Sequence, residues 1–350
     1  MHACLRQPMR LCRWAGVFPV EGLDKKSCSE LRFNLNSTYT IYHCISLLGQ
    51  FLLTASSAYH FFTYDLSFNH LKDLVFYTTT MVTAFFIMKL ASNWPTLIQR
   101  AGYIEKRVTH LIMNCHENNE LSLNLLEHYF VSTASFVFEL TPYSHWKAIL
   151  YEVMNIQSTF LWNFTDAMTM CVSLYLTSYF RDLNKLIENQ QRLKIIRWEE
   201  IRLYYSDLVQ LVQTVDSKMC YLILLSFFTN VFFICVQLFS LLKAHKSLPY
   251  YFYYCYSSLF LFVRATLTSL LAANVNTVAL KPFYILQHVP TSDYTIEVQR
   301  FIRQTKYTTT ALSGLFFDVT RGMILTVIGT IVKYELVLLQ FSVKTYEAIE

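Results

Sequence analysis

Three groups of residues have side chains and spacing that suggest chemistry. Trp162 and Asp166 lie four apart in an apolar run and share a helix face, with Asn163 displaced by one residue. An indole beside a carboxylate and an amide offers ring surface and hydrogen-bonding groups to a polar ligand. The competing reading assigns Asp166 to a structural ion pair with Arg264 and Trp162 to the core. Glu127 and His128 form a second polar group inside an apolar stretch, equally suited to a buried interhelical pair. Tyr253 and Tyr256 open a later apolar run.

The third group lies near the C-terminus. Thr326, Thr330, Lys333, Val337 and Gln340 recur at steps of four and three, so one helix face carries them all. Polar groups in lipid are costly and turn toward a partner or a water-filled cavity. The stripe therefore lines a pore or forms a seam against helices of the same subunit, and the pattern alone favours neither. Just upstream, Asp318 and Arg321 are three apart and positioned to pair on one face.

The elements that hold these residues must be membrane helices. Of 350 residues, 54% are hydrophobic and only 15% charged, against about 25% charged in an ordinary soluble domain. The apolar runs are long blocks without strand-type alternation, which favours helices over a barrel. Nine cysteines, odd in number and scattered, give neither a disulfide framework nor a zinc pattern, and no cofactor is expected. No phosphate-binding glycine loop, HExxH pair or nucleophile elbow marks an enzyme, and no basic patch marks a nucleic-acid binder. The N-terminus lacks a signal-peptide pattern.

Runs of about 20 apolar residues cross a bilayer, and seven such spans are predicted. They fall near residues 39 to 62, 74 to 92, 121 to 139, 150 to 180, 218 to 242, 250 to 276 and 316 to 341. The N-terminal segment and the loops after spans 2, 4 and 6 carry twenty Lys and Arg residues, counted through Lys218. The remaining loops and the tail carry five: Lys72, Lys147, Lys243, Lys246 and Lys344. Positive residues stay on the cytoplasmic side, so the N-terminus is expected inside and the C-terminus outside. The sequons at Asn36 and Asn163 should then carry no sugar. Between spans 4 and 5, Ile201, Tyr205, Leu208, Val212 and Val215 form a heptad seam that runs on to Met219 and Leu222. It packs on the chain's own cytoplasmic side or on another subunit.

The stretch FFDVTRGMILTVIGTIVKYELVLLQF, residues 316 to 341, resembles the C-terminal signature of insect gustatory receptors, particularly their sugar-receptor branch. GVFPVEGL from Gly16, Glu127 with His128, YSHW from Tyr143, WNFTDAMTMCVSLYL from Trp162 and the basic segment from Arg181 to Asn184 follow in the same order. Lys333 departs from the family's usual threonine. The resemblance covers nearly the whole chain. It implies a tetrameric ligand-gated cation channel, homo- or heteromeric with other gustatory receptors, in the plasma membrane of chemosensory neurons. The last helix of each subunit would line the pore, with Gln340 and Phe341 forming the constriction and Val337 below.

On that reading, residues 1 to 38 are a cytoplasmic segment and 39 to 299 a six-helix ligand-binding domain. Cytoplasmic helical extensions cover about 181 to 217 and 277 to 299. A split pore helix covers 300 to 341, and 342 to 350 form an extracellular tail. The ligand implied is a small sugar, and Glu127, His128, Trp162, Asn163, Asp166, Tyr253, Tyr256 and Arg264 are its candidate contacts. Asp166→Ala and Trp162→Ala are expected to abolish the response with surface expression intact. The alternative is a seven-helix receptor of the G-protein-coupled type, which would place the N-terminus outside.

Overall fold

The computed structural model describes residues 2–25, 28–63, 68–112, 145–193, 197–243 and 248–347. Its α-helices are α1 (His2–Trp14), α2 (Thr38–Thr63), α3 (Phe68–Ile112), α4 (His145–Leu193), α5 (Trp198–Lys243), α6 (Leu248–Ala279), α7 (Lys281–Leu286), α8 (Ile296–Tyr307) and α9 (Arg321–Glu347). Among the described residues, extended pairing is confined to two isolated bridges, Glu21 with Arg32 and Ser313 with Asp318. The expected third span, with Glu127 and His128, lies outside the described residues.

Helix α2 is polar inside and apolar outside in the way lipid demands. The buried face of α2 is Thr40, His43, Ser46 and Gln50, while Ile41, Ile45, Leu48, Phe51 and Phe62 are exposed. In water that helix would be inside out; in hydrocarbon the exposed side chains cost nothing and the polar ones need partners. They have them. Gln50 Oε1 accepts from Ser158 Oγ at 2.7 Å and Thr80 Oγ1 at 3.3 Å. The His43 ring nitrogens face the carbonyls of Gly16 and Ala84 at 2.8 and 3.2 Å.

Four stretches are long and apolar enough to cross a membrane: Thr38–Thr63, Phe68–Lys106, Trp198–Leu241 and Tyr251–Leu286. The chain is accordingly a multi-pass helical membrane protein. Helix α4 is long enough but too polar to join them on composition. Its 49 residues extend about 73 Å, more than twice the roughly 30 Å hydrocarbon thickness. It packs against α1, α2, α3, α5 and α6, and this central place accounts for its polarity. Buried Thr165, Thr169 and Ser173 return their hydroxyls to the carbonyls four residues back at 3.0, 2.9 and 2.6 Å, so no polar atom of theirs is stranded.

The GVFPVEGL segment is part of the core. Val17, Phe18, Val20 and Leu23 have no exposed surface, and the Phe18 ring stands edge-on to Trp94 at 5.3 Å. Gly22 has φ +80°, and a Cβ there would strike the Glu30 carbonyl. A side chain fits neither the conformation nor the space.

The heptad seam of α5 packs within the chain. Ile201, Tyr205, Leu208, Val212, Val215, Met219 and Leu222 are all buried, and Tyr205 meets Phe180 of α4 and Phe301 of α8 at 6.0 and 5.2 Å. Glu297 of α8 accepts from Arg202 Nε of α5 at 2.7 Å and from Arg300 at 2.6 Å. The hydrogen bond from Arg202, then that from Arg300, holds its carboxyl below the usual glutamate range.

Between α8 and α9 the chain makes a tight turn. Val319 N donates to Leu312 O at 2.8 Å and Gly314 N to Phe317 O at 2.9 Å, with Leu315 at φ 66°. The expected Asp318–Arg321 pair does not form. The backbone pairs Asp318 with Ser313 across the turn, which draws it out of helical register with Arg321. The turn is tied instead to α5: Asp216 accepts from Ser313 N at 2.6 Å and Ser313 Oγ at 2.8 Å.

Candidate functional site

The bundle's most concentrated polar chemistry lies where α4, α5 and α6 meet. Asp166 has no exposed surface, and Arg264 Nε lies 3.1 Å from its Oδ2 with 4% of the Arg264 side chain exposed. That contact is ionic rather than a directed hydrogen bond. Asp166 Oδ1 also accepts from Ser226 Oγ, and Asn230 Nδ2 donates to Oδ1 and Oδ2 at 3.2 and 3.3 Å. The other face of Asn230 closes the network. Its Oδ1 accepts from Arg264 Nη2 at 2.9 Å and from Trp162 Nε1 at 3.1 Å.

The guanidinium is held on every side. Its Nη1 donates to Asn163 Oδ1, and its carbon sits 4.2 Å from the Trp162 ring centroid. Stacking on an indole plus a carboxylate is what a cation needs when removed from water. Arg264 is thereby fixed in place.

A cavity of about 240 Å³ opens on this network. Trp162, Asn163 and Arg264 reach its wall, as do Lys72, Asp73 and Phe76 of α3 and Phe233 and Gln237 of α5. Phe76, Trp162 and Phe233 form an aromatic trio with centroids 5.0 to 6.1 Å apart. Gln237 Oε1 is buried and has no hydrogen-bond partner among the described residues. A ligand with hydroxyl donors and an apolar ring face would satisfy it and stack on the trio.

Of the residues singled out from sequence, Trp162, Asn163 and Arg264 meet at this cavity. Asp166 lies beneath it, facing Arg264 and not the cavity. Tyr253 and Tyr256 are 48% and 62% exposed and are not among its lining residues; Tyr256 instead stacks on Phe260, which is. Ser226, Asn230, Phe233 and Gln237 were not anticipated. They recur at steps of four, three and four on α5, a signal present in the sequence but hidden within an apolar run.

Helix α9 packs on α5 and α6. Ile324 and Ile331 are buried there, while Thr326, Thr330 and Lys333 are exposed, turned away from the chain's own helices. The threonine hydroxyls donate to the carbonyls of Gly322 and Thr326 at 3.1 and 2.8 Å. Val337, Gln340 and Phe341 belong to the same helix, and their side chains lie outside the described ones.

Two solved structures of the olfactory receptor OR5 from Machilis hrabei, with eugenol and without it, share this fold. Their TM-scores are 0.71 and 0.73 at 14% identity, covering 96% of this chain and 97% of theirs. The Drosophila melanogaster gustatory receptor for sugar taste 64f is 27% identical over 377 residues, covering 97% of this chain and 80% of that one. Gustatory receptor 5a for trehalose, from the same fly, is 28% identical over 376 residues, covering 97% and 85%. A family model described as trehalose receptor matches residues 1–122 and 108–348. That match takes in the α4–α6 network, the turn and all of α9, and the chain belongs to the trehalose receptor family.

Proposed function

We propose that this protein is a sugar-sensing gustatory receptor, a subunit of a tetrameric ligand-gated cation channel in the plasma membrane of chemosensory neurons. Seven spans, an inside N-terminus and an outside C-terminus complete the reading. The observation that carries it is the cavity beside the Asp166–Arg264 network, where a Gln237 acceptor unpartnered among the described residues and the trio of Phe76, Trp162 and Phe233 match a sugar's hydroxyls and ring face. The relatives' names, for sugar taste and for trehalose, agree with that ligand class.

The pore reading draws on α9, whose polar face looks away from its own bundle and so suits a water-filled axis shared by four subunits. A receptor of the G-protein-coupled type would leave that face to lipid. In the channel, Glu127, His128, Asn163 and Arg264 join the cavity residues around the sugar. The gate would combine Val337, Gln340 and Phe341. Gln340 and Phe341 lie about 100° apart on the helix, so a modest rotation exchanges an amide for an aromatic ring.

Whole-cell recording against a sugar panel, alone and with candidate partner subunits, tests this. Trp162→Ala should abolish the evoked current. Gln237→Leu should raise the half-maximal concentration about fivefold, from ~1 kcal/mol for one neutral hydrogen bond. Unchanged responses in both variants at equal surface expression would refute the cavity. A parent that passes no sugar-evoked current in any combination would refute the channel reading.

A further inference from the structure

A second cavity, of about 360 Å³, lies behind α9. Its walls are chiefly Leu238 and Leu241 of α5, Leu259 and Phe262 of α6, and Ile331 and Val332 of α9. Among the described residues no charged side chain lines it, and none of its lining residues is shared with the polar cavity. An apolar cavity of about 150 Å³ is already large enough to hold benzene. This one has more than twice that volume.

Its shape and surroundings narrow the occupant. The wall runs along α5 from Ile234 to Leu241, about 10 Å parallel to the helix axes. Leu259 and Val332 are 63% and 53% exposed, so the cavity opens sideways at two apolar rims. Both α5 and α6 are apolar enough there to lie in a membrane, and the solvent at that opening is hydrocarbon. Water needs two to four polar partners to settle in a cavity, and among the described residues Cys255 and Ser258 are the only polar lining. A sugar would find too few groups to bind.

We propose that this cavity is an acyl-chain site, in which one tail of a bilayer phospholipid enters between the Leu259 and Val332 rims and packs behind α9. The site stands apart from the sugar reading and would hold whatever α9 does. Its position suggests what the tail could influence. A narrower cleft of about 40 Å³ shares Ile234, Phe262, Ile328 and Ile331 with it and reaches Ser226 and Asn230 of the buried network. The tail would thus fill the gap beside the contact joining α9 to that network.

Full-length receptor in nanodiscs of phosphatidylcholine carrying a diazirine near the tail end provides the test. After photolysis, peptide mapping should find labelling of residues 234–241 and 255–262 enriched about tenfold over the exposed face of α2 at Ile41, Ile45, Leu48 and Phe51, which equals about 1.4 kcal/mol of preference. Leu259→Trp, which fills the rim, should remove that enrichment and leave α2 labelling unchanged; Val332→Phe repeats the test from the opposite rim. Even labelling of all apolar faces would overturn the proposal. So would enrichment that survives both substitutions in receptor whose α2 labelling is normal.

Discussion

Removing the Asp166 carboxylate should destabilise this protein strongly, because it breaks a buried ion pair from one side. In Asp166→Ala, Arg264 stays 4% exposed and keeps its amide acceptors on Asn163 and Asn230, but loses its counter-charge. Breaking a buried pair from one side costs about 3–5 kcal/mol, roughly two to four orders of magnitude in the folding equilibrium. The Ser226 hydroxyl and the Asn230 amide lose an acceptor as well. The sequence-based expectation that Asp166→Ala keeps surface expression is therefore revised: the variant should show low yield and a lowered inactivation temperature. Fluorescence-detected size-exclusion chromatography of heated, detergent-solubilised receptor measures this directly. Adding Arg264→Met removes the orphaned cation, so the double variant should be more stable than Asp166→Ala alone. An Asp166→Ala protein within about 0.5 kcal/mol of the parent, or a double variant with simply summed losses, would refute the reasoning.

Two further outcomes follow from charged side chains outside the buried network. Lys333 shares the outward face of α9 with Thr326 and Thr330, and two unit charges 4 Å apart interact by about 1 kcal/mol in water and about 4 at an effective dielectric of 20. Lys333→Thr should raise cation current severalfold, and unchanged current and selectivity would put the lysine off the ion path. Glu297 has its carboxyl held low by Arg202 and Arg300, so its contribution is present above the ordinary glutamate value of about 4.3 and is lost as pH falls through the lower folded value. Glu297→Gln should be less heat-stable than the parent near neutral pH, with the gap closing below about pH 4; a constant gap would count against the assignment.

Much of the architecture could be read from patterns with short range. Apolar runs located the helices α2, α3, α4, α5, α6 and α9, of which α2, α3, α5 and α6 hold stretches long and apolar enough to cross a membrane, because a helix in lipid satisfies its own backbone and needs only a continuous apolar surface. Heptad spacing marked the face, from Ile201 to Leu222, that is buried on α5. Trp162 and Asp166 were placed on one face by counting residues. The Asp318–Arg321 pair failed by the same counting, because helical spacing was applied to a turn that pairs Asp318 with Ser313.

The sequence by itself determined the solvent, the helices and the faces they present, down to the polar stripe of Thr326, Thr330 and Lys333. Only the tertiary structure decided which faces meet. It turned Asp166 toward Arg264, with Asn230 bridging 64 residues away in the chain, and it tied Asp216 to Ser313 across 97 residues. It also left Gln237 Oε1 without a partner among the described residues and an apolar cavity behind α9. Periodicity fixes a side chain's angle on its own helix. The rotation of each helix against its neighbours is set by the summed packing of the whole bundle, which no local spacing records.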